Sequence, residues 1–207
     1  MTLTLPTWLT LARIAMIPVL VVVYYLDYRW TNLAAVLIFI GASLTDWLDG
    51  WIARRYGLYS AFGAFLDPVA DKLMVAVALV ITVQYHHTVW MALWASVIIG
   101  REIAVSALRE WMAELGQRAA VAVATVGKVK TVVQMVALGF LLYREPFFGL
   151  PVFQVGEWLL AAAAVLTLWS GLQYARAAWP ALRAQEMRQR GVDSDRPARK
   201  MPASTRE

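Results

Sequence analysis

Four carboxylates, three glycines and two arginines fall from Asp46 to Asp71, in a stretch that is otherwise largely apolar. The residues run Asp46-Trp-Leu-Asp49-Gly50-Trp-Ile-Ala53-Arg54, then eight positions, then Gly63-Ala-Phe-Leu-Asp67-Pro-Val-Ala-Asp71. An ionised aspartate in hydrocarbon costs about 2.5–3.5 kcal/mol even on a lenient scale. Four so close together call for opposite charge. Bound divalent metal supplies it, with the hard-cation chemistry that carboxylate oxygens suit.

Helical spacing brings these residues onto common faces. At about 100° per residue, Asp49 lies about 60° from Asp46, Gly50 about 40° to the other side and Ala53 about 20° away. Asp67 and Asp71 are one turn apart and share a face. Between the pairs, Gly57 is a helix stop and Ser60 an N-cap. Two antiparallel helices joined there bring both carboxylate pairs face to face, and Gly50, Ala53 and Gly63 leave room between them for a ligand. Such small residues also mark plain helix contacts.

The pattern D-x2-D-G-x2-A-R-x8-G-x3-D-x3-D, with every fixed position present, resembles the signature of the CDP-alcohol phosphatidyltransferase family. The resemblance covers roughly residues 5 to 175. It extends to Leu5-Pro6-Thr7-Trp8-Leu9-Thr10-Leu11-Ala12-Arg13, to Leu66-Asp67-Pro68-Val-Ala-Asp71-Lys72, to Gly100-Arg101-Glu102-Ile-Ala-Val-Ser106-Ala-Leu-Arg109-Glu110 and to Gly127-Lys128-Val-Lys130-Thr131. These segments look like the members that use sn-glycerol 3-phosphate as acceptor. One departure is Thr7, where such members commonly carry Asn after the proline.

The elements that must position these residues are membrane helices. The chain has 207 residues, 60% of them hydrophobic, and a mean hydropathy of +0.57, too apolar for an ordinary soluble domain. Six apolar stretches, at about Leu9–Leu26, Leu33–Ile52, Ala61–Val83, Trp90–Leu108, Val126–Tyr143 and Val155–Tyr174, each approach the length of a bilayer crossing. The expected fold is an all-α integral membrane protein of six transmembrane helices. Residues 1–179 form the membrane domain and residues 180–207 a basic cytoplasmic tail, first amphipathic and then partly disordered. The first stretch lacks a basic leader and a cleavage site, so it is a retained helix. Trp8, Trp30, Trp90 and Trp179 fall at helix ends, as interfacial anchors do, while Trp47 and Trp51 lie off the aspartate face.

Charge sets the orientation. Of 19 Lys and Arg residues, only Arg29 and Arg144 fall in the loops after helices one, three and five. By the positive-inside rule, both termini and the aspartate end of helices two and three face the cytoplasm, within the inner (plasma) membrane. His86 and His87 then face outward in a solvated loop. The lack of cysteine excludes disulfides and thiolate chemistry.

A second group of charges, Arg101, Glu102, Arg109, Lys128 and Lys130, lies at the same end. Arg101 and Arg109 share a broad helix side, offset by about 80°. A guanidinium fork with ammonium groups suits a phosphate, whereas Arg109 and Lys130 also lie where side chains simply snorkel. A cation path through the aspartates is the reading from another class. Against it, the outer halves of helices two and three hold no carboxylate, and the basic group calls for an anion.

The resemblance implies transfer of the phosphatidyl group from CDP-diacylglycerol to sn-glycerol 3-phosphate, giving phosphatidylglycerol phosphate and CMP. Inositol phosphate, serine or phosphatidylglycerol are the alternative acceptors. Two divalent cations, Mg2+ or Mn2+, would be held by Asp46, Asp49, Asp67 and Asp71, with Asp71 also the general base. Asp46, Gly50, Ala53, Arg54, Gly63, Asp67 and Thr10 would contact the nucleotide, and Arg13 would line the entrance. Arg101, Arg109, Lys128 and Lys130 would hold the acceptor's phosphate. Membrane lipid and a second copy of the chain are the expected partners, with no nucleic acid.

Overall fold

A computed structural model describes residues 4–58, 60–116 and 125–194. Its elements are six helices: α1 (Leu5–Tyr25), α2 (Thr31–Tyr56), α3 (Ala61–Tyr85), α4 (Val89–Glu114), α5 (Thr125–Tyr143) and α6 (Val152–Ser194). Among the described residues there is no strand, only an isolated bridge between Phe147 and Leu150. Among the described residues four helices are long and apolar enough to cross a membrane: α1, α2, α4 and the Val152–Pro180 part of α6. The other two carry charge inside their apolar runs: Asp67, Asp71 and Lys72 in α3, and Lys128 and Lys130 at the start of α5.

Local chemistry sets the helix ends. α2 stops at Gly57, whose φ of 66° is the left-handed conformation that glycine adopts at least cost. Ser60 then caps α3 by accepting from the Gly63 amide, and Thr88 caps α4 by accepting from Met91. α6 continues through Pro180 to Ser194, so the first half of the expected tail is helical. The side chains of residues 181, 182 and 184–194 and everything after Ser194 lie outside the described residues.

Packing is most extensive between α5 and α6 and between α1 and α2, with α1 also against α3 and α4 against α6. The main core mixes Leu20, Phe39, Leu79, Ile98 and Leu138 with Ala35, Ala78, Ala137 and Ala164. The alanines let backbones approach closely, as packing between membrane helices requires. Outward faces carry large apolar side chains such as Leu37, Val80 and Val165, each more than half exposed. Water would penalise that band, whereas acyl chains accept it. Trp8, Trp30 and Trp90 are exposed at helix ends, Trp179 is exposed but lies within the longer α6, and Trp47 and Trp51 are exposed as well.

The bundle end opposite the α2–α3 turn is tied by aromatic contacts. Arg144 donates to the Tyr24 carbonyl at 2.7 Å. Its guanidinium lies 3.4 Å from the Tyr24 ring centroid and 4.3 Å from that of Tyr85. His86 stacks on Phe153 at 3.7 Å between ring centroids, so it is partly packed, while His87 is exposed.

Candidate functional site

At the α2–α3 turn three helices meet. α1 is stitched to α3 through hydroxyls: Thr7 Oγ1 lies 2.9 Å from Thr4 Oγ1 and 2.7 Å from Ser60 Oγ, the same oxygen that caps Gly63. Thr7, the departure noted in the sequence, is buried and makes this contact itself. Gly63 has its reason here. A Cβ at that position would stand 2.8 Å from Ser60 Oγ and 2.9 Å from Thr7 Oγ1, so a larger residue would force these bonded hydroxyls to move.

This stitching fixes the register of α1 against both aspartate pairs. One turn further along, Thr10 donates to Asp67 Oδ1 at 2.5 Å. One more turn along, Arg13 reaches the other three. Its Nη1 donates to Asp46 Oδ1 at 2.6 Å and to Asp71 Oδ1 at 3.3 Å, and its Nη2 donates to Asp49 Oδ2 at 2.5 Å. Arg13 is 2% exposed and Asp49 3%, so this pair is out of water, whereas Asp46 and Asp71 present about 38% and 53% of their side chains. The two aspartate pairs do come together, and α1 supplies the contact that joins them.

Sequence reasoning placed Arg13 only at the entrance; the structure puts it at the centre. A signal was available. Arg13 is the sole charged residue of α1, and a lone cation at that depth needs an anion.

A cavity of about 360 Å³ opens beside the cluster. It is lined by Asp46 of α2, by Asp67, Asp71 and Lys72 of α3, by Glu102 and Arg109 of α4 and by Lys130 of α5. Lys72 donates to Ser106 at 2.5 Å, and Lys130, 3% exposed, pairs with Glu102. Of the expected phosphate ligands, Arg109 and Lys130 therefore line the same cavity as the carboxylates. Lys128 lies in the first turn of α5, and its side chain is outside the described residues. Arg101 turns toward α6: it donates to Ser170 at 2.7 Å, lies 3.5 Å from Glu102 and sits over the Tyr174 ring. It reaches the cavity only through Glu102, the carboxylate it shares with Lys130.

The remaining expected nucleotide contacts lie at the mouth of the site. Arg54 is exposed and folds back over Gly50, where a Cβ would come within 3.2 Å of its Nη1. Ala53 is half-buried one position before it.

The donor set suits a hard divalent cation. Three carboxylates share one guanidinium and a fourth, Asp67, bonds Thr10, which leaves net negative charge in the cluster, and Asp46, Asp67 and Asp71 line the cavity. Among the described residues no three such ligands are already closed around a point for an ion; the Arg13 guanidinium stands between Asp46, Asp49 and Asp71.

Residues 3–169 match the family model described as CDP-alcohol phosphatidyltransferase. A CDP-diacylglycerol–glycerol-3-phosphate 3-phosphatidyltransferase of Escherichia coli (strain K12) is 54% identical over 174 residues, covering 84% of this chain and 94% of that protein. Proteins of the same name from Salmonella choleraesuis (strain SC-B67), 54% identical, and Shigella flexneri serotype 5b (strain 8401), 55% identical, align over the same shares.

Proposed function

We propose that this chain, which belongs to the CDP-alcohol phosphatidyltransferase family, transfers the phosphatidyl group of CDP-diacylglycerol to sn-glycerol 3-phosphate. The observation that carries this reading is one cavity lined both by signature aspartates of α2 and α3 and by Arg109 of α4 and Lys130 of α5. The aspartates suit a donor diphosphate through divalent metal, and the basic side chains suit a phosphorylated acceptor. The relatives named for glycerol 3-phosphate support the choice of acceptor.

In this reading Asp46, Asp49, Asp67 and Asp71 hold two divalent cations, Mg2+ or Mn2+. When bound, these ions neutralise charge on the diphosphate and on the departing CMP. Arg54, over Gly50 and beside Ala53, contacts the cytidine nucleotide at the mouth, with Gly63 keeping the helices close and Thr10 orienting Asp67. Arg109 and Lys130 take the acceptor's phosphate, with Lys128 from the first turn of α5 and Arg101 from behind Glu102. Asp71, open to the cavity, accepts the proton of the glycerol hydroxyl. That hydroxyl oxygen bonds to the phosphatidyl phosphorus as the bond to CMP breaks, and CMP leaves with the electron pair. Holding both substrates in one cavity supplies the alignment such a displacement needs.

The same reading makes the protein a six-span homodimer of the inner membrane, with both termini and the site on the cytoplasmic side. It has a membrane domain over 1–179 and a basic tail over 180–207. The positive-inside distribution supports it, as do the exposed apolar band and the family resemblance. Because the chain has no cysteine, a His87→Cys variant labelled by an impermeant thiol reagent only from outside intact cells is expected; labelling only from the cytoplasmic face would reverse the topology.

The reaction is tested by CMP release from CDP-diacylglycerol with each acceptor in turn. Glycerol 3-phosphate is expected to support turnover, and inositol phosphate, serine and phosphatidylglycerol are not. Turnover with one of those three in place of glycerol 3-phosphate overturns the acceptor assignment.

A further inference from the structure

The position of Arg13 has a chemical consequence beyond packing. One guanidinium contacts carboxylates from two helices: Asp46 and Asp49 on α2, and Asp71 on α3. Its own helix contributes no other charge. Its Nε is buried with no acceptor, so the side chain has not exhausted its donors on the carboxylates. Three of the four aspartates thus spend oxygen lone pairs on Arg13, and Asp67 spends one on Thr10.

A divalent cation approaching these oxygens meets a resident positive charge. Two cations competing for one set of carboxylates repel across a few ångströms, and in a partly dry site that repulsion is little screened. We propose that Arg13 is a displaceable internal cation, holding Asp46, Asp49 and Asp71 together in the metal-free protein and competing with divalent metal for them.

The proposal rests on reading these aspartates as metal ligands. It makes two properties move in opposite directions. Removing the guanidinium leaves carboxylates facing one another without compensation, so the metal-free protein loses stability. It also frees their oxygens, so the metal binds more tightly. A purely structural arginine would give the first effect without the second, because a loosened site binds an ion less well.

The test uses the purified full-length protein in lipid nanodiscs, with Mn2+ alone as probe, read by electron paramagnetic resonance and thermal unfolding. Arg13→Gln is expected to unfold at lower temperature than wild type without metal, to bind Mn2+ at least tenfold more tightly and to gain more thermal stability from it. Tenfold corresponds to about 1.4 kcal/mol. Arg13→Lys, which keeps the charge but loses the fork that spans three carboxylates, guards against misfolding of the first variant and should lie between it and wild type. Mn2+ binding equal to or weaker than wild type in both variants overturns the proposal while leaving the metal reading intact. No Mn2+ binding by any of the three proteins overturns both.

Discussion

Arg13 and Arg144 stand at opposite ends of one helical bundle, each with a buried Nε that no group accepts. Their partners differ. Arg13 meets three carboxylates, beside a cavity that a ligand can enter. Arg144 meets two tyrosine rings and a backbone carbonyl. The rings hold a guanidinium through their quadrupoles and carry no net charge of their own, so Arg144 shares no ionised partner with an incoming ion, although Asp27 and Glu145 line the pocket beside it. At the Arg13 end the anions outnumber the cation, and the surplus charge is what a metal or substrate can answer. The same side chain is a fastener where its partners are neutral and a working charge where they are ionised.

The sharpest way to break this contrast is at the carboxylates. Asp67→Asn or Asp46→Asn should lower CMP release by about 100-fold or more, the scale for removing a group that stabilises transition-state charge, while membrane insertion is retained. Chelation of divalent ions should abolish release in the unaltered protein. Full turnover in chelator with no added metal would remove the charge argument for this end.

The basic residues of the cavity come next in size. A charge-assisted bond to a phosphate contributes about 1.5–3 kcal/mol, so Arg109→Ala and Lys130→Ala should each raise the KM for glycerol 3-phosphate by about 10- to 150-fold. The KM for CDP-diacylglycerol should hardly move. Arg101→Lys keeps charge but loses the fork that reaches Ser170, and a rise near the lower end of that range is expected. If these variants weakened the donor instead, the basic residues would have been assigned to the wrong substrate.

At the far end the expected effect is on stability alone. Arg144→Met removes two ring contacts and one hydrogen bond, and should lower unfolding free energy by about 1–3 kcal/mol, with kcat per folded molecule unchanged. Loss of turnover without loss of stability would erase the distinction between the ends. The smallest change is at the cap: Ser60→Ala should cost about 0.5–2 kcal/mol, measured by thermal unfolding, with a modest rise in both KM values because the same oxygen holds Thr7.

Much of this was legible in the sequence, for identifiable reasons. Apolar runs gave the helices, and Gly57 and Ser60 marked the turn because each uses a chemistry tied to one backbone conformation. Spacing put Asp46 with Asp49 and Asp67 with Asp71. What spacing does not contain is the phase of one helix against another. Arg13 and Thr10 lie on α1, and nothing local says that their face meets α2 and α3. Arg101 shows the same gap. Its broad side of α4 is compatible with the cavity or with α6, and packing against Gly171 and Ser170 decides for α6. The tight place of Gly63 depends on Thr7, a residue on another helix.

The contacts of α1 also carry a clock. Thr10 and Arg13 bond residues that follow them by 33 to 58 positions, whereas the Ser60 cap closes over three. At a synthesis rate of about 5–20 residues per second, α1 is made roughly 2–12 s before its partners on α2 and α3. During that interval its single cation is unmatched, at a cost of about 2.5–3.5 kcal/mol in the bilayer centre. The aspartates then arrive one pair at a time beside a charge already in place. The nascent chain thus needs no ion from solution to bring its acidic helices together.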